Sequence, residues 1–167
     1  DKVVVCAGAW SNNLAKKFGD NFPLDTERGY HVMFDNYDLI NRPIGWSQSG
    51  FYLVQLEDGL RAAGTVEIAG LNKIENKKRT KMIENQARKL LPQLKEVKST
   101  WLGFRPTLPD SLPVIGESEK NKNIIYGFGH QHIGWTLGAV TGKIVSSICN
   151  DRIPNIDIEP FKPTRFN

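Results

Sequence analysis

The sequence predicts an α+β protein: an antiparallel sheet with one covering helix, joined at both ends to segments of α/β character. Three observations predict it. Short β-type runs at Arg28–Phe34, Phe51–Leu56, Arg61–Val66 and Val97–Phe104 enclose only one helical segment, the pattern of an antiparallel sheet. That segment, Lys77–Leu91, repeats apolar residues near every 3.6 positions and so has one face to bury. The chain ends each carry a continuous apolar run, Val3–Ala7 and Ile124–Phe128, leading into a helix. Such runs are typical of parallel strands covered on both faces. The chain therefore divides into residues 1–20, 21–106 and 107–167.

Each element has its own signals. Gly8 breaks the first strand, and a helix follows through Asn12, Leu14, Ala15 and Phe18, with Gly19 as its stop. Glu57-Asp58-Gly59 is a tight turn, so Phe51–Leu56 and Arg61–Val66 read as a hairpin. The covering helix presents Met82, Ile83, Ala87, Leu90 and Leu91, and Pro92 ends it. Arg105-Pro106 ends the strand Val97–Phe104. Pro106–Gly116, rich in Pro, Asp and Gly, reads as an extended, turning segment. After Ile124–Phe128 and a glycine-rich loop, a helix spans about Trp135–Asn150 with Val140, Ile144, Val145 and Ile148 on its apolar face. The tail, Ile153–Asn167, carries three prolines and reads as irregular.

Composition excludes several classes. With 167 residues, 40% of them hydrophobic and 24% charged, there is enough apolar material for a core, so a fibrous or wholly disordered chain is excluded. No apolar run reaches the ~18 residues of a membrane-spanning helix. Cys6 and Cys149 are too few for a disulfide framework or a metal cage, and read as unactivated thiols of a cytoplasmic protein. The net charge of +4 is concentrated in Lys73, Lys77, Lys78, Arg79, Lys81, Arg88 and Lys89. That run suits either an anionic partner or the solvated face of a helix. It carries no interleaved aromatics and no nucleic-acid motif, so no nucleic-acid partner is expected.

Three groups of residues could carry chemistry. Gly127, Gly129, Gly134 and Gly138 surround the start of the last helix, whose free N–H groups suit a ligand with a negative oxygen. The same glycines would also serve a plain strand-to-helix turn. The loop has neither the Lys-Ser/Thr of a P-loop nor GxGxxG. Arg105 ends an apolar strand beside Pro106, with Trp101 and Phe104 behind it. A guanidinium so fixed suits a bidentate carboxylate, or else an internal salt bridge. His130 and His132 point to opposite faces of an extended segment, which is poor for a shared metal, and no metal site is expected.

Five segments in order carry a resemblance: Val3-Val-Val-Cys-Ala-Gly-Ala-Trp-Ser11, Arg28-Gly-Tyr-His31, Ala63-Gly-Thr-Val-Glu67, Gly103-Phe-Arg-Pro106 with Pro109-Asp-Ser-Leu-Pro-Val-Ile-Gly116, and Gly129-His130 with Gly134 and Thr141-Gly142. Together they resemble the D-amino-acid oxidase superfamily of FAD-dependent amine oxidoreductases, in its D-amino-acid dehydrogenase and glycine oxidase branch. The resemblance implies that residues 21–106 are the substrate-domain sheet and that both ends are a remnant of the FAD-binding domain. The family's opening GxGxxG, which holds the ADP half of FAD, has no counterpart in these residues. The chain is thus expected to be a C-terminal part, somewhat under half, of a family member. By itself it is expected to bind FAD poorly and to be inactive, needing the N-terminal FAD-binding segment as partner.

The resemblance also implies roles. FAD would be held non-covalently, since no cysteine follows Arg105 closely. Its ring would lie on the Gly127–Gly134 loop, with Ala7, Gly8, Trp10, Gly103, Arg105, Gly129, His130, Gly134, Trp135 and Thr136 as cofactor-binding residues. Arg105 and Tyr52 are the implied catalytic residues, Arg105 pairing with the substrate carboxylate, and Tyr30 is a further pocket candidate. The reaction would oxidise a D-amino acid or glycine-like amine to a 2-oxo acid and ammonia by hydride transfer to flavin. Oxygen and a membrane quinone both stay open as acceptor, with the dehydrogenase look tilting toward the quinone and contact at the inner face of the membrane. Self-association through an uncovered apolar face stays open too. The alternative from another class is a stand-alone, non-catalytic binding or interaction domain on the same sheet.

Overall fold

Alternation of apolar side chains builds the larger of two sheets. A computed structural model describes residues 1–166. Strands β2 (Asp25–Phe34), β3 (Ile44–Trp46), β4 (Phe51–Leu56), β5 (Gly59–Ile68) and β6 (Val97–Thr107) lie in the order β3–β4–β5–β2–β6. β4 and β5 form the expected antiparallel hairpin, paired from Phe51↔Gly64 to Leu56↔Gly59, and β3 pairs antiparallel with β4. One face of this sheet buries Tyr30, Val32, Phe34, Phe51, Leu53, Leu60 and Ala62 beneath Ile83 and Ala87 of helix α2 (Lys77–Leu90). Each large side chain so buried contributes about 1.5–3 kcal/mol. Asn76 caps α2 by accepting from the Lys78 N–H, as an N-cap side chain should.

The smaller sheet has the order β1 (Val3–Val5), β8 (Ile124–Phe128), β7 (Val114–Glu117). β1 and β8 are parallel, in register Val3↔Ile124 to Val5↔Tyr126, as the two apolar runs predicted. All five residues of β8 are buried. Ile124, Tyr126 and Phe128 join one core with Phe22 and Leu108. Ile125 faces a second core, built with Ile144, Val145 and Ile148 of helix α3 (Gly134–Cys149). Gly127 is the thin point of that contact: a Cβ there would lie 3.3 Å from Val145 and 3.2 Å from Cys6. Two compact units result, residues 1–27 with 105–167, and residues 28–104.

Several sequence expectations are corrected. β1 is three residues long and half exposed at Val3 and Val4. The first helix is a single turn, α1 (Ser11–Ala15), between two 3₁₀ turns, although Gly19 does stop it with φ +89°. β6 runs through Pro106 to Thr107 rather than ending at Arg105. It is an edge strand, where a missing N–H costs no ladder bond. The segment read as turning contains β7, paired antiparallel with β8. Met82 and Val140 lie outside their helices' buried faces, each on the flank of the apolar stripe, while Thr80 and Thr141 lie inside. The tail contains two 3₁₀ turns, Glu159–Phe161 and Pro163–Phe166.

Candidate functional site

Because β1 and β8 are parallel, the segments that follow them leave the same end of the small sheet. In open α/β sheets the carboxyl ends of parallel strands are where ligands bind. After β1, Ala7 accepts from the Trp10 N–H at 3.0 Å, and Gly8 has φ +53°. After β8 comes the loop 129–133. Gly129 has φ +89°, and a Cβ there would stand 2.6 Å from Leu108 Cδ1, so both backbone and packing require glycine. Gln131, at φ +50°, takes the left-handed conformation without being glycine, the strained geometry found at ligand sites. Its N–H donates to Pro106 O at 3.0 Å, which ties the loop to β6.

The loop delivers helix α3 with its first turn open. No side chain caps it and no acidic residue lies in its first turn, so its N–H groups and positive dipole end are free for a ligand. His130 is half-buried, its Nε2 2.9 Å from Thr141 Oγ1, and burial pushes its imidazole below the usual range. A Cβ on Gly134 would meet His130 Cβ at 3.2 Å. Thr136 is exposed, and Trp135 is fully exposed.

Arg105 lies near the end of β6, half-buried, and its Nη1 is buried with no hydrogen-bond partner. Burial lowers its guanidinium from the ordinary value, and the Glu27 carboxylate opposes that shift. An arginine stays charged under such a shift. A buried orphan donor costs about 1–3 kcal/mol until something accepts from it. Glu27, on β2, is held by His132, whose Nε2 is 2.7 Å from Glu27 Oε2. The internal salt bridge weighed from sequence is not formed: among the described residues no carboxylate lies within bridging distance of Arg105. Ala7, Gly8, Trp10, Arg105, Gly129, His130, Gly134, Trp135 and Thr136 all belong to this unit.

The other unit holds the rest. Tyr52 is exposed on the face of β4 opposite the core, its ring lying over Gly45, where a Cβ would come within 2.9 Å. Gly103 is covered by Trp101, whose ring leaves no room for a Cβ and stacks on His31 at 5.1 Å and 15°. Burial and the Arg61 charge both lower the His31 imidazole. Tyr30 is buried, and its hydroxyl sits between Arg28, Glu67 and Asn76. Sequence reasoning missed Glu27, whose partner lies 105 residues away, and Arg61, whose Nε is also buried and unpartnered. Among the described residues no three His, Cys, Asp or Glu side chains cluster as metal ligands, and no helix is long and apolar enough to cross a membrane.

The model of the FAD dependent oxidoreductase family matches residues 1–148, and the chain belongs to that family. It is 42% identical to a D-amino-acid oxidase of Bradyrhizobium diazoefficiens over 99% of this chain and 41% of the relative. It is 29% identical to a D-amino acid dehydrogenase of Vibrio atlanticus, again over 99% of the chain and 41% of the relative. Glycine oxidase from Geobacillus kaustophilus shares the fold with a TM-score of 0.89 and 24% identity, over 98% of this chain and 45% of that one. The chain thus spans about two fifths of the length of the relatives it matches.

The residues fit the family's cofactor on two counts. Gly8 leaves open space at the carboxyl end of β1, with nothing within 4 Å of where a Cβ would stand. The first turn of α3 is uncapped and free of acid.

Proposed function

We propose that the chain is the C-terminal part of a FAD-dependent amine oxidoreductase that converts D-amino acids or glycine-like amines to 2-oxo acids and ammonia. Its relatives' names support the substrate class. The observation that carries the reading is Arg105, an unpaired guanidinium with a buried, unsatisfied N–H on a rigid strand beside the glycine loop. Bound non-covalently, FAD supplies the hydride acceptor.

The chain's own residues do the rest. Arg105 takes the substrate carboxylate in a two-pronged grip, which fixes the direction of the Cα–H bond and removes rotational freedom before reaction. The uncapped N-terminus of α3 attracts an anionic edge, and the open backbone at Gly8 lets it approach closely. His130, whose imidazole burial pushes below its usual range, holds Thr141 at the base of the loop.

The test is Arg105→Lys and Arg105→Ala in the FAD-loaded protein, with kcat/KM measured for a D-amino acid and for its decarboxylated amine. Lysine keeps the charge but loses the planar fork, and alanine loses both. Alanine should cost about 2–5 kcal/mol with the amino acid, lysine less, and the amine should be nearly indifferent to both. Equal losses for both substrates would make Arg105 a structural residue and remove the reading's support.

A further inference from the structure

Arg105 and Glu27 are opposite charges set side by side without bonding to each other. A short ring of contacts fixes their neighbourhood. Arg105 is followed by Pro106, whose carbonyl accepts from the Gln131 N–H at 3.0 Å. The next residue, His132, lies 2.7 Å from the Glu27 carboxylate. β2 and β6, which carry Glu27 and Arg105, are adjacent strands. The loop 129–133 therefore stitches both strands together at this point. The Glu27 carboxylate also opposes the effect of burial on the Arg105 guanidinium. Yet no bridge joins the two, and Arg105 Nη1 stays unpartnered.

A substrate carboxylate on Arg105 changes the balance. It neutralises the guanidinium and leaves the Glu27 charge facing the bound molecule. His132 is about half exposed, and its hydrogen bond holds the Glu27 carboxylate in place. A carboxylate left in this way repels a second anion and attracts a cation.

We infer that Glu27, held by His132 beside Arg105, makes this site selective for amino acids with a cationic side chain, of the lysine or ornithine type, over neutral and acidic ones. The inference rests on the reading that Arg105 holds the substrate carboxylate.

D-Lysine and D-norleucine differ only in the terminal ammonium, so the ratio of their kcat/KM values isolates the side-chain charge. In the FAD-loaded protein that ratio should favour lysine about threefold to tenfold, the range for one opposite charge at a partly exposed site. It should shrink at 0.5 M salt, where the Debye length is only a few ångströms. Glu27→Gln should bring it to about one, and Glu27→Asp should retain part of it. Calorimetric binding of 6-aminohexanoate against hexanoate, neither of which carries an amine on the carbon next to the carboxylate, should show the same ratio and the same loss. A wild-type ratio near one, or a ratio that Glu27→Gln leaves unchanged, overturns the inference while the D-amino-acid activity itself stands. An equal loss for both substrates on Glu27→Gln also overturns it, since Glu27 would then face the α-ammonium. No oxidation of any D-amino acid would instead strike the parent reading, and the inference with it.

Discussion

Glu67→Gln should unravel the most concentrated polar network in the 28–104 unit. Arg28 is 3% exposed and donates to Asn72 O at 2.9 Å, to Ile74 O at 2.8 Å and to the Tyr30 hydroxyl. Its charge is balanced by Glu67, 3.0 Å away. Tyr30 donates to the same carboxylate at 2.6 Å, and Asn76 Nδ2 to its other oxygen at 2.9 Å. Asn76 is also the N-cap of α2, so the network joins β2, β5 and the start of that helix. Glutamine preserves shape but leaves Arg28 buried without a counter-charge. Breaking such a pair costs about 3–5 kcal/mol when fully buried. Glu67 is 18% exposed, so water screens part of the loss, and about 2–4 kcal/mol is expected.

With an m-value near ~2 kcal/mol/M, the urea midpoint followed by circular dichroism should fall by about 1–2 M. The pH dependence gives a second reading. The Tyr30 and Asn76 hydrogen bonds, then the Arg28 and Arg79 charges, hold the Glu67 carboxyl below its usual range. A carboxyl lowered in the folded state stabilises above its unfolded value of about 4.3, and that stability is lost as pH falls through the folded value. The gap between wild type and variant should therefore close in acid. A midpoint shift under ~0.3 M at neutral pH, or a gap that widens in acid, would refute the argument.

Two further outcomes follow from the geometry. Gly129→Ala adds a Cβ 2.6 Å from Leu108 at φ +89°, so it should cost about 1–3 kcal/mol and lower Tm by roughly 2–4 °C for each kcal/mol. An unchanged Tm would mean that the loop is looser than its contacts imply. His31 and His130 are both lowered by burial, His31 further by Arg61, so NMR titration should place both midpoints below the unfolded ~6.5. The stability they contribute is present above that value and is lost as pH falls through the folded midpoints; midpoints at or above 6.5 would contradict the burial described.

The parts of the fold legible in sequence were those written in local periodicity. The hairpin turn at Glu57-Asp58-Gly59 and the apolar runs Val3–Ala7 and Ile124–Phe128 needed only neighbouring residues to declare themselves. β3 and β7 did not, because three or four residues flanked by Pro43 or Pro113 carry too little alternation. Pro106 misled because its strand lies at the sheet edge, which no local pattern records. At the site, Arg105 and the glycines were visible as residue types in rare settings. Glu27 was not, since its meaning depends on His132 far along the chain. The partners of Tyr30, namely Arg28, Glu67 and Asn76, come from three separate segments, and no local pattern joins them.

Along β5, Leu60 and Ala62 belong to the core, while Arg61 and Ala63 stand on the other side of the same strand. The two sets share a backbone but face opposite sides of the strand. A lineage can therefore rewrite the outward residues by substitution, one at a time, with the folding half of the strand untouched. Inserting or deleting a single residue would exchange the sets at once, placing Arg61 in the core and Leu60 on the half-buried outer face. Descendants should thus differ here in their side chains and agree, residue for residue, in their length.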